Sequence, residues 1–248
     1  MPGFPRDRRS APSEPHRSEL GAAAAVAGAG EERAWNGEVV LISDPRVTSI
    51  PVKECGEKLS DVRGRLRVDG RLADPEGAYA HLREGLLARL EEAQRRLPEG
   101  RHLVVVEGYR PPSLQIRYFE EYREGLRATF PDLPAGELHA AASRYVSPIE
   151  VAPHTAGAAV DLTLCDDDGM ELDMGTAVNA NPEESGGACY MAAPVGHEAR
   201  RNRDLLRAVL EPAGLVNYPT EWWHWSYGDR YWAMTRRAPA ALYGPVDL

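Results

Sequence analysis

Apolar positions recur at helical spacing in four stretches of the chain. Residues 113–130 form an amphipathic pattern with Ser113 as its predicted N-cap, and a shorter helix is predicted over 135–145. The stretch 197–212 gives a further helix, on which Arg200, Arg201 and Arg203 are expected to form the solvated face. The fourth helix is predicted over residues 76–97, with its apolar side formed by Leu82, Leu86, Leu90, Ala93 and Leu97.

Other stretches have the pattern of strands. The run "EVVLIS" (38–43) and the run 102–107, which ends at Gly108, are both apolar and bounded by turn residues. Residues 158–175 alternate between apolar and polar side chains and contain an Asp-Gly turn, which predicts a hairpin. The segment 214–227 predicts a turn and an aromatic strand. Because a hairpin requires antiparallel pairing, we expect an α+β fold with helices packed on a mainly antiparallel sheet.

The first 35 residues differ from the rest of the chain. Residues 1–33 are rich in proline and carry five arginines and five acidic residues, so residues 1–35 are predicted to be a disordered extension. An alanine-rich stretch at 21–30 weakly resembles a signal peptide, but Glu14 and Glu19 interrupt its lead-in. The remainder, 36–248, is predicted to form a single domain.

Charge and cysteine content narrow the function classes. The 248 residues carry a net charge of −9, which argues against a nucleic-acid partner. No stretch approaches the roughly 18 consecutive apolar residues of a membrane span. The cysteines are odd in number and lack metal-ligand spacing, which predicts free thiols and a cytoplasmic location. They are Cys55, Cys165 and Cys189.

Two segments combine acidic and imidazole side chains. "VAPHTAGAAVDLTL" (151–164) contains His154 and Asp161, and "PTEWWHWSY" (219–227) places His224 among three tryptophans. Catalytic zinc sites commonly use three protein ligands of these types and leave one position for water. We therefore expect one Zn²⁺ per chain, bound by His154, Asp161 and His224. The alternatives are that His154 only caps a loop and that Asp161 only bonds to Thr163.

Glu221, three residues before His224, is the candidate general base. Residues three apart on a flat strand point to opposite faces, so Glu221 must lie in the turn before the strand if it is to reach the metal site. The neighbouring tryptophans are expected to exclude water from that site. The alternative is an ordinary core strand with a polar rim.

A third segment, "VVVEGYRPP" (104–112), places Arg110 just after a buried strand. A guanidinium there could stabilise an oxyanion or bind a substrate carboxylate. The competing interpretation is a surface arginine stacked on Tyr109.

Together these segments resemble the zinc D-alanyl-D-alanine dipeptidases of the VanX type. The family pattern Ser-x-His-x-x-Gly-x-Ala-x-Asp corresponds to "APHTAGAAVD" in this chain. The pattern Gly-Tyr-Arg-Pro occurs at residues 108–111, and the pattern Glu-x-x-His occurs at residues 221–224. A Met-Gly segment lies between the ligands, in "ELDMGTAVN" (171–179). The resemblance covers roughly residues 40–230. It implies the D-Ala-D-Ala metallopeptidase and Hedgehog-like fold, with 36–248 as the zinc metallopeptidase catalytic domain.

The resemblance also implies a role for each matching residue. His154, Asp161 and His224 correspond to the zinc ligands, Glu221 to the base and Arg110 to the transition-state arginine, which also contacts substrate. Two substrate-binding positions depart from the pattern. The family serine is Ala152 here, and the family aspartate that meets the substrate's ammonium group is Asn179.

The implied activity is hydrolysis of D-alanyl-D-alanine or a similar short peptide. Ala152 and Asn179 differ from the family pattern at substrate-binding positions, so the substrate could differ as well. The alternative is therefore an amidase or endopeptidase of the same fold that acts on another peptidoglycan-derived or natural-product amide. A non-catalytic metal-binding module is the third possibility. The sequence leaves the oligomeric state open.

Overall fold

The computed structural model describes residues 39–143 and 146–248, without the side chains of residues 183 and 184. The predicted extension over 1–35 lies outside these ranges. Within them, no helix is long and apolar enough to cross a bilayer. The cytoplasmic location stays a prediction.

The described residues form two β-sheets. Their strands are β1 Leu59–Asp61, β2 Arg67–Val68, β3 His81–Arg83, β4 His102–Glu107, β5 Ala159–Cys165, β6 Val216–Asn217 and β7 His224–Ser226. Five of them form the central sheet, in the order β2-β4-β5-β7-β6, and β1 and β3 form a separate antiparallel pair. Strands β2 and β4 are parallel and every other neighbouring pair of the central sheet is antiparallel, so the predicted α+β class with a mainly antiparallel sheet is confirmed.

Helices pack against the sheet and against one another. They are α1 Pro45–Thr48, α2 Glu84–Arg96, α3 Pro112–Thr129, α4 Ala135–Ala142, α5 Pro182–Ser185, α6 His197–Leu210 and α7 Arg230–Arg236. Two of them, α2 and α6, place buried leucines in the main core together with the side chains of β4 and β5. Helix α3 buries only Gln115 and Phe119, and the Phe119 ring packs edge-on against His139 of α4.

The helix predicted over 76–97 begins eight residues later than expected. Residues 78–80 form a 3₁₀ turn, because the Asp74 carboxylate accepts hydrogen bonds from the Ala78 and Tyr79 amides. The chain then enters β3, where Leu82 pairs with Ser60 of β1. The apolar spacing continues through both elements, so it does not reveal the boundary.

Three other predicted features differ locally from the structure. Residues 39–43 form no strand; Ile42 instead packs with Tyr218 and Tyr231 in a small separate cluster. Helix α3 starts at Pro112 and is preceded by Pro111, so Ser113 is not its N-cap. The chain after β5 turns back at Gly169 but makes only one bridge, between Cys165 and Glu171, rather than a second full strand.

Candidate active site

Two of the predicted metal ligands are cross-strand neighbours. Asp161 on β5 is paired with His224 on β7, so both side chains leave the same face of the sheet. His154 lies in a 3₁₀ turn at 153–156 that leads into β5. That turn ends at Gly157, whose φ of 61° lies in the left-handed region that favours glycine. The turn and the two strands thereby bring the three side chains together.

The donor atoms of these residues have the spacing of a tetrahedral site. His154 Nε2 lies 3.2 Å from His224 Nδ1 and 3.5 Å from Asp161 Oδ1, and the His224 and Asp161 atoms are 3.0 Å apart. Bonds of about 2.0–2.1 Å in a tetrahedron separate donors by about 3.3 Å. All three residues are buried. Among the described residues, they form the one group of at least three His, Cys, Asp or Glu side chains whose atoms lie close enough to hold a metal ion.

The surroundings of His154 and Asp161 fix the chemical state of these two donors. The Nδ1 atom of His154 is 2.7 Å from the Gly108 carbonyl oxygen, an arrangement in which Nδ1–H donates and the Nε2 lone pair faces the other donors. Burial alone raises the pKa of the Asp161 carboxyl, but the two imidazoles outweigh it and hold that pKa well below its usual range. Asp161 is therefore a carboxylate at neutral pH.

Glu221 lies in the turn before β7, as its proposed role requires. Its amide donates to the Tyr218 carbonyl, and Asn217 Nδ2 donates to the carbonyls of Glu221 and His224. The Glu221 carboxylate is 3.8 Å from His224 Nδ1, with 24% of the side chain exposed. Desolvation raises the pKa of Glu221 to about 7, although nearby His224 lowers it. The carboxyl thus faces the donor cluster with a pKa near neutrality.

Arg110 is a partly buried residue held by an ion pair, and not a surface arginine on Tyr109. A register shift between Val105 and Glu107 bulges strand β4 and aligns Glu107 with Asp161. Glu107 then forms a two-pronged ion pair with the Arg110 guanidinium, whose side chain is 14% exposed. Gln115 accepts from Arg110 Nη1 at 2.8 Å.

The glycine before Tyr109 allows this close packing. A Cβ on Gly108 would lie 2.5 Å from the His81 carbonyl oxygen, a backbone atom that cannot yield. The Arg110 amide donates to the His154 carbonyl, and the Tyr109 hydroxyl donates to the Val246 carbonyl. The Gly-Tyr-Arg segment is therefore joined directly to the turn that carries His154.

The tryptophans contribute less to the site than the sequence suggests. Trp223 lines the cavity beside the donor cluster, whereas Trp222 and Trp225 are fully buried in the main core. The Trp222 indole donates to Thr176, and the Trp225 indole donates to the Trp222 carbonyl. Of the three tryptophans that were expected to exclude water, only Trp223 borders the cavity, so the prediction can apply to Trp223 alone.

A cavity of about 750 Å³ opens over the donor cluster. His154, Asp161, His224, Glu221 and Arg110 all line it. The two departures from the family pattern line the same cavity: Ala152 is buried, and Asn179 is exposed with a left-handed φ of 65°. Every residue predicted for the site thus borders one space.

Sequence reasoning missed several side chains that support this site. Glu107 and Gln115 hold Arg110, and Asn217 fixes the turn that carries Glu221 by bonding to its carbonyl. One signal was available, because an acid at the end of the apolar run "VVVEG" is costly to bury without a partner. The other two residues carry no local signal.

Comparison with known proteins places the chain in a family. The peptidase family model described as D-ala-D-ala dipeptidase matches residues 68–240. The chain therefore belongs to this family, and the resemblance read from the sequence is confirmed.

Relatives from two bacteria illustrate the range of similarity. A D-alanyl-D-alanine dipeptidase of Synechocystis sp. is 29% identical over 240 residues, covering 80% of this chain and 96% of the relative. A D-alanyl-D-alanine dipeptidase of Escherichia coli is 33% identical over 126 residues, covering 50% of this chain and 54% of the relative.

Among solved structures, the vancomycin resistance D,D-pentapeptidase VanY in complex with Zn(II) aligns with a TM-score of 0.42 at 15% identity. That alignment covers 82% of this chain and 94% of VanY. The LD-carboxypeptidase LdcB also aligns with a TM-score of 0.42 at 15% identity, covering 75% of each chain.

Proposed function

We propose that the protein is a zinc-dependent dipeptidase that hydrolyses D-alanyl-D-alanine or a similar short peptide. The observation that carries this proposal is the convergence of one carboxylate and two imidazole donors within 3.5 Å of one another, beside the Glu221 carboxylate. Family membership supports the same substrate class.

The donor set suits Zn²⁺, which His154, Asp161 and His224 would hold. Two neutral imidazoles and one carboxylate leave a divalent ion with net positive charge. When bound, such an ion supplies Lewis acidity, which polarises a carbonyl and lowers the pKa of water.

Glu221 would move the proton during hydrolysis. The oxygen of the attacking water bonds to the amide carbon while Glu221 takes a proton from that water. The carbon–nitrogen bond then breaks, and Glu221 passes the proton to the departing amine. A carboxyl whose pKa is about 7 suits both halves of this transfer near neutral pH.

Arg110 would stabilise the negative charge that develops on the carbonyl oxygen. Its guanidinium has five N–H groups, of which two bond to Glu107 and one to Gln115. Two N–H groups therefore remain for substrate. Glu107 and Gln115 fix the plane of the guanidinium, so no reorientation is required during the reaction.

The test is hydrolysis of D,D-, L,D- and L,L-dipeptides by the purified protein, before and after chelation and after Zn²⁺ is restored. We expect cleavage of D-alanyl-D-alanine that chelator abolishes and Zn²⁺ restores. Glu221→Gln should bind one Zn²⁺ yet lose about 10²–10⁴-fold in kcat, the range typical of acid–base catalysis.

Two results would count against the proposal. Bound zinc without cleavage of any dipeptide would favour the non-catalytic metal-binding module. Loss of zinc from Glu221→Gln, to the same extent as from His154→Ala, would make Glu221 a ligand and not the base.

A further inference from the structure

Arg203 lies in the middle of the buried face of helix α6. This face also contains Ala199, Leu206 and Leu210, and all four residues are fully buried. Burial lowers the pKa of the Arg203 guanidinium to about 10, so the group is still charged at neutral pH. A charge on an apolar helical face is costly unless it is hydrogen-bonded, so the position of Arg203 requires an explanation beyond core packing.

The guanidinium of Arg203 holds two separate segments of the chain. Its Nε donates to the Met174 carbonyl at 2.7 Å, in the Met-Gly segment. Its Nη1 donates to the Tyr190 carbonyl at 2.7 Å and its Nη2 to the Ala188 carbonyl at 2.8 Å. Ala188 and Tyr190 flank Cys189, which borders the cavity. Because the N–H groups of a guanidinium point in fixed directions, one side chain sets the relative positions of three carbonyls.

The segment 188–191 is bonded in turn to the backbone around Glu221. The Cys189 carbonyl accepts from the Trp222 amide at 3.0 Å, and the Met191 amide donates to the Pro219 carbonyl at 3.0 Å. These two hydrogen bonds hold the chain on both sides of Glu221. The position of Glu221 therefore depends on the segment that Arg203 fixes.

The side chain of Trp222 provides a second connection between Arg203 and Glu221. The Trp222 indole donates to Thr176 Oγ1 at 2.8 Å, two residues after the Met174 carbonyl that Arg203 holds. The Arg203 guanidinium also lies over the Trp222 ring, 5.6 Å from its centroid. The residue next to Glu221 is thus held through its amide, its indole N–H and the face of its ring.

We propose that Arg203 is a positioning residue for Glu221. Through the segments 174–176 and 188–191, it fixes the turn from which the Glu221 carboxylate faces the donor cluster. This inference rests on the proposed function and adds a residue that does not border the cavity. Glu221 moves a proton in the chemical step, and small displacements of catalytic groups cost on the order of 100-fold. Loss of Arg203 should therefore lower kcat and leave substrate binding nearly unchanged.

The first test is Arg203→Lys, which keeps the charge but replaces the planar fork with one ammonium group that cannot reproduce all three bonds. We expect kcat for D-Ala-D-Ala cleavage to fall tenfold or more, with KM changed less than threefold and one Zn²⁺ still bound. Arg67→Lys is the matched control. Arg67 also donates to two loop carbonyls, those of Asp166 and Asp167, but outside the cavity, so its kcat should stay within twofold of wild type.

A milder variant keeps the inference testable if Arg203→Lys does not fold. Thr176→Val preserves the shape of the side chain but removes the acceptor of the Trp222 indole, and kcat should fall threefold or more with KM nearly unchanged. Thr163→Val is its control, because the buried Thr163 hydroxyl has no hydrogen-bond partner among the described residues. Equal kcat values for these two valine variants would contradict the connection through Trp222.

Hydrogen exchange gives a measurement that does not depend on turnover. The peptides that contain the Met191 and Trp222 amides should exchange at least tenfold faster in Arg203→Lys, whereas those of β5 should keep the wild-type rate. Equal acceleration in β5 would show that Arg203 only stabilises the whole fold, and the inference would be wrong.

The kinetic outcomes separate this inference from the proposed function. A wild-type protein that cleaves the dipeptide, together with an Arg203→Lys variant that has unchanged kcat or a raised KM alone, would overturn the inference and leave the dipeptidase standing. A wild-type protein that binds zinc but cleaves no dipeptide would overturn the proposed function and, with it, the role of Arg203.

Discussion

Arg110 depends on two residues that are not themselves candidate metal ligands. Glu107 holds two of its N–H groups and Gln115 a third, and Gln115 donates in turn to the Ser147 carbonyl at 2.7 Å. Burial alone lowers the pKa of the Arg110 guanidinium, but the Glu107 carboxylate outweighs it and raises that pKa above its ordinary value. The guanidinium is therefore charged, fixed in orientation and mostly shielded from water.

Glu107→Gln tests this arrangement. The amide keeps the shape of the side chain but removes the negative charge, so the guanidinium loses its partner and shifts in the cavity. Small displacements of catalytic groups cost on the order of 100-fold. We expect kcat for dipeptide cleavage to fall by 10- to 100-fold while the protein still binds one Zn²⁺, as measured by steady-state kinetics and metal analysis.

The matched control is Glu92→Gln on α2, which removes a carboxylate from a surface cluster with Arg95 and Arg96. Because this cluster is exposed to solvent and Glu92 does not line the cavity, activity should not change. If Glu107→Gln were as active as this control, Arg110 would not need its partner for catalysis.

The turn that carries His154 connects the elements of the site. Gly157 closes the turn and packs against β1 and β3: its carbonyl accepts from the Arg83 amide, and a Cβ on it would lie 2.3 Å from Leu59 Cδ2. The next residues enter β5, where Asp161 lies. A shift of this turn would therefore move His154 relative to the two donors on the sheet.

Gly157→Ala should accordingly destabilise the protein and weaken zinc binding together. The alanine must adopt a left-handed φ and also displace Leu59. Gly169→Ala is the control, because Gly169 also has a positive φ of 83° but its nearest neighbour would be 3.9 Å away. We expect the free energy of unfolding, measured in urea, to fall by at least about 1 kcal/mol more in Gly157→Ala than in Gly169→Ala. Zinc affinity should be weaker only in Gly157→Ala. Equal losses of stability in the two variants would mean that the left-handed backbone alone, and not the contact with Leu59, destabilises the protein.

Local sequence patterns predicted elements well where packing follows the pattern. Strand β4 was predicted with the bounds observed, and the three segments that carry the site residues were found from their chemistry. Patterns failed where a distant partner decides the conformation. Leu82 belongs to a strand because β1 lies beside it, and the bulge that aligns Glu107 with Asp161 exists only in the paired sheet.

Arg203 shows that a helical pattern also fails to predict the burial of a single charged side chain when its partners are distant in sequence. The sequence placed it on the solvated face of its helix, yet it is fully buried. Its guanidinium donates to the carbonyls of Met174, Ala188 and Tyr190. These acceptors lie in loops near the cavity, and no spacing within the helix could indicate them.

At the scale of the whole molecule, the candidate metal centre is a product of long-range folding. His154 and His224 are 70 residues apart in sequence. Their donor atoms meet only when the β5–β7 register and the Gly157 turn have both formed. An unfolded chain therefore offers no equivalent site, and any metal that binds the donors stabilises the folded protein as a whole.

Thermal unfolding of the metal-free protein should consequently depend on zinc concentration. Free Zn²⁺ at about 100 times Kd stabilises by about 2.7 kcal/mol. In a chain of this size, that corresponds to a rise in Tm of roughly 5–10 °C. Chelator should reverse the rise, as measured by calorimetry at fixed pH. Glu221→Gln should retain it because Glu221 is not a ligand, whereas Asp161→Asn should lose most of it. A full rise in a protein carrying both His154→Ala and Asp161→Asn would show that zinc stabilises the protein from another site.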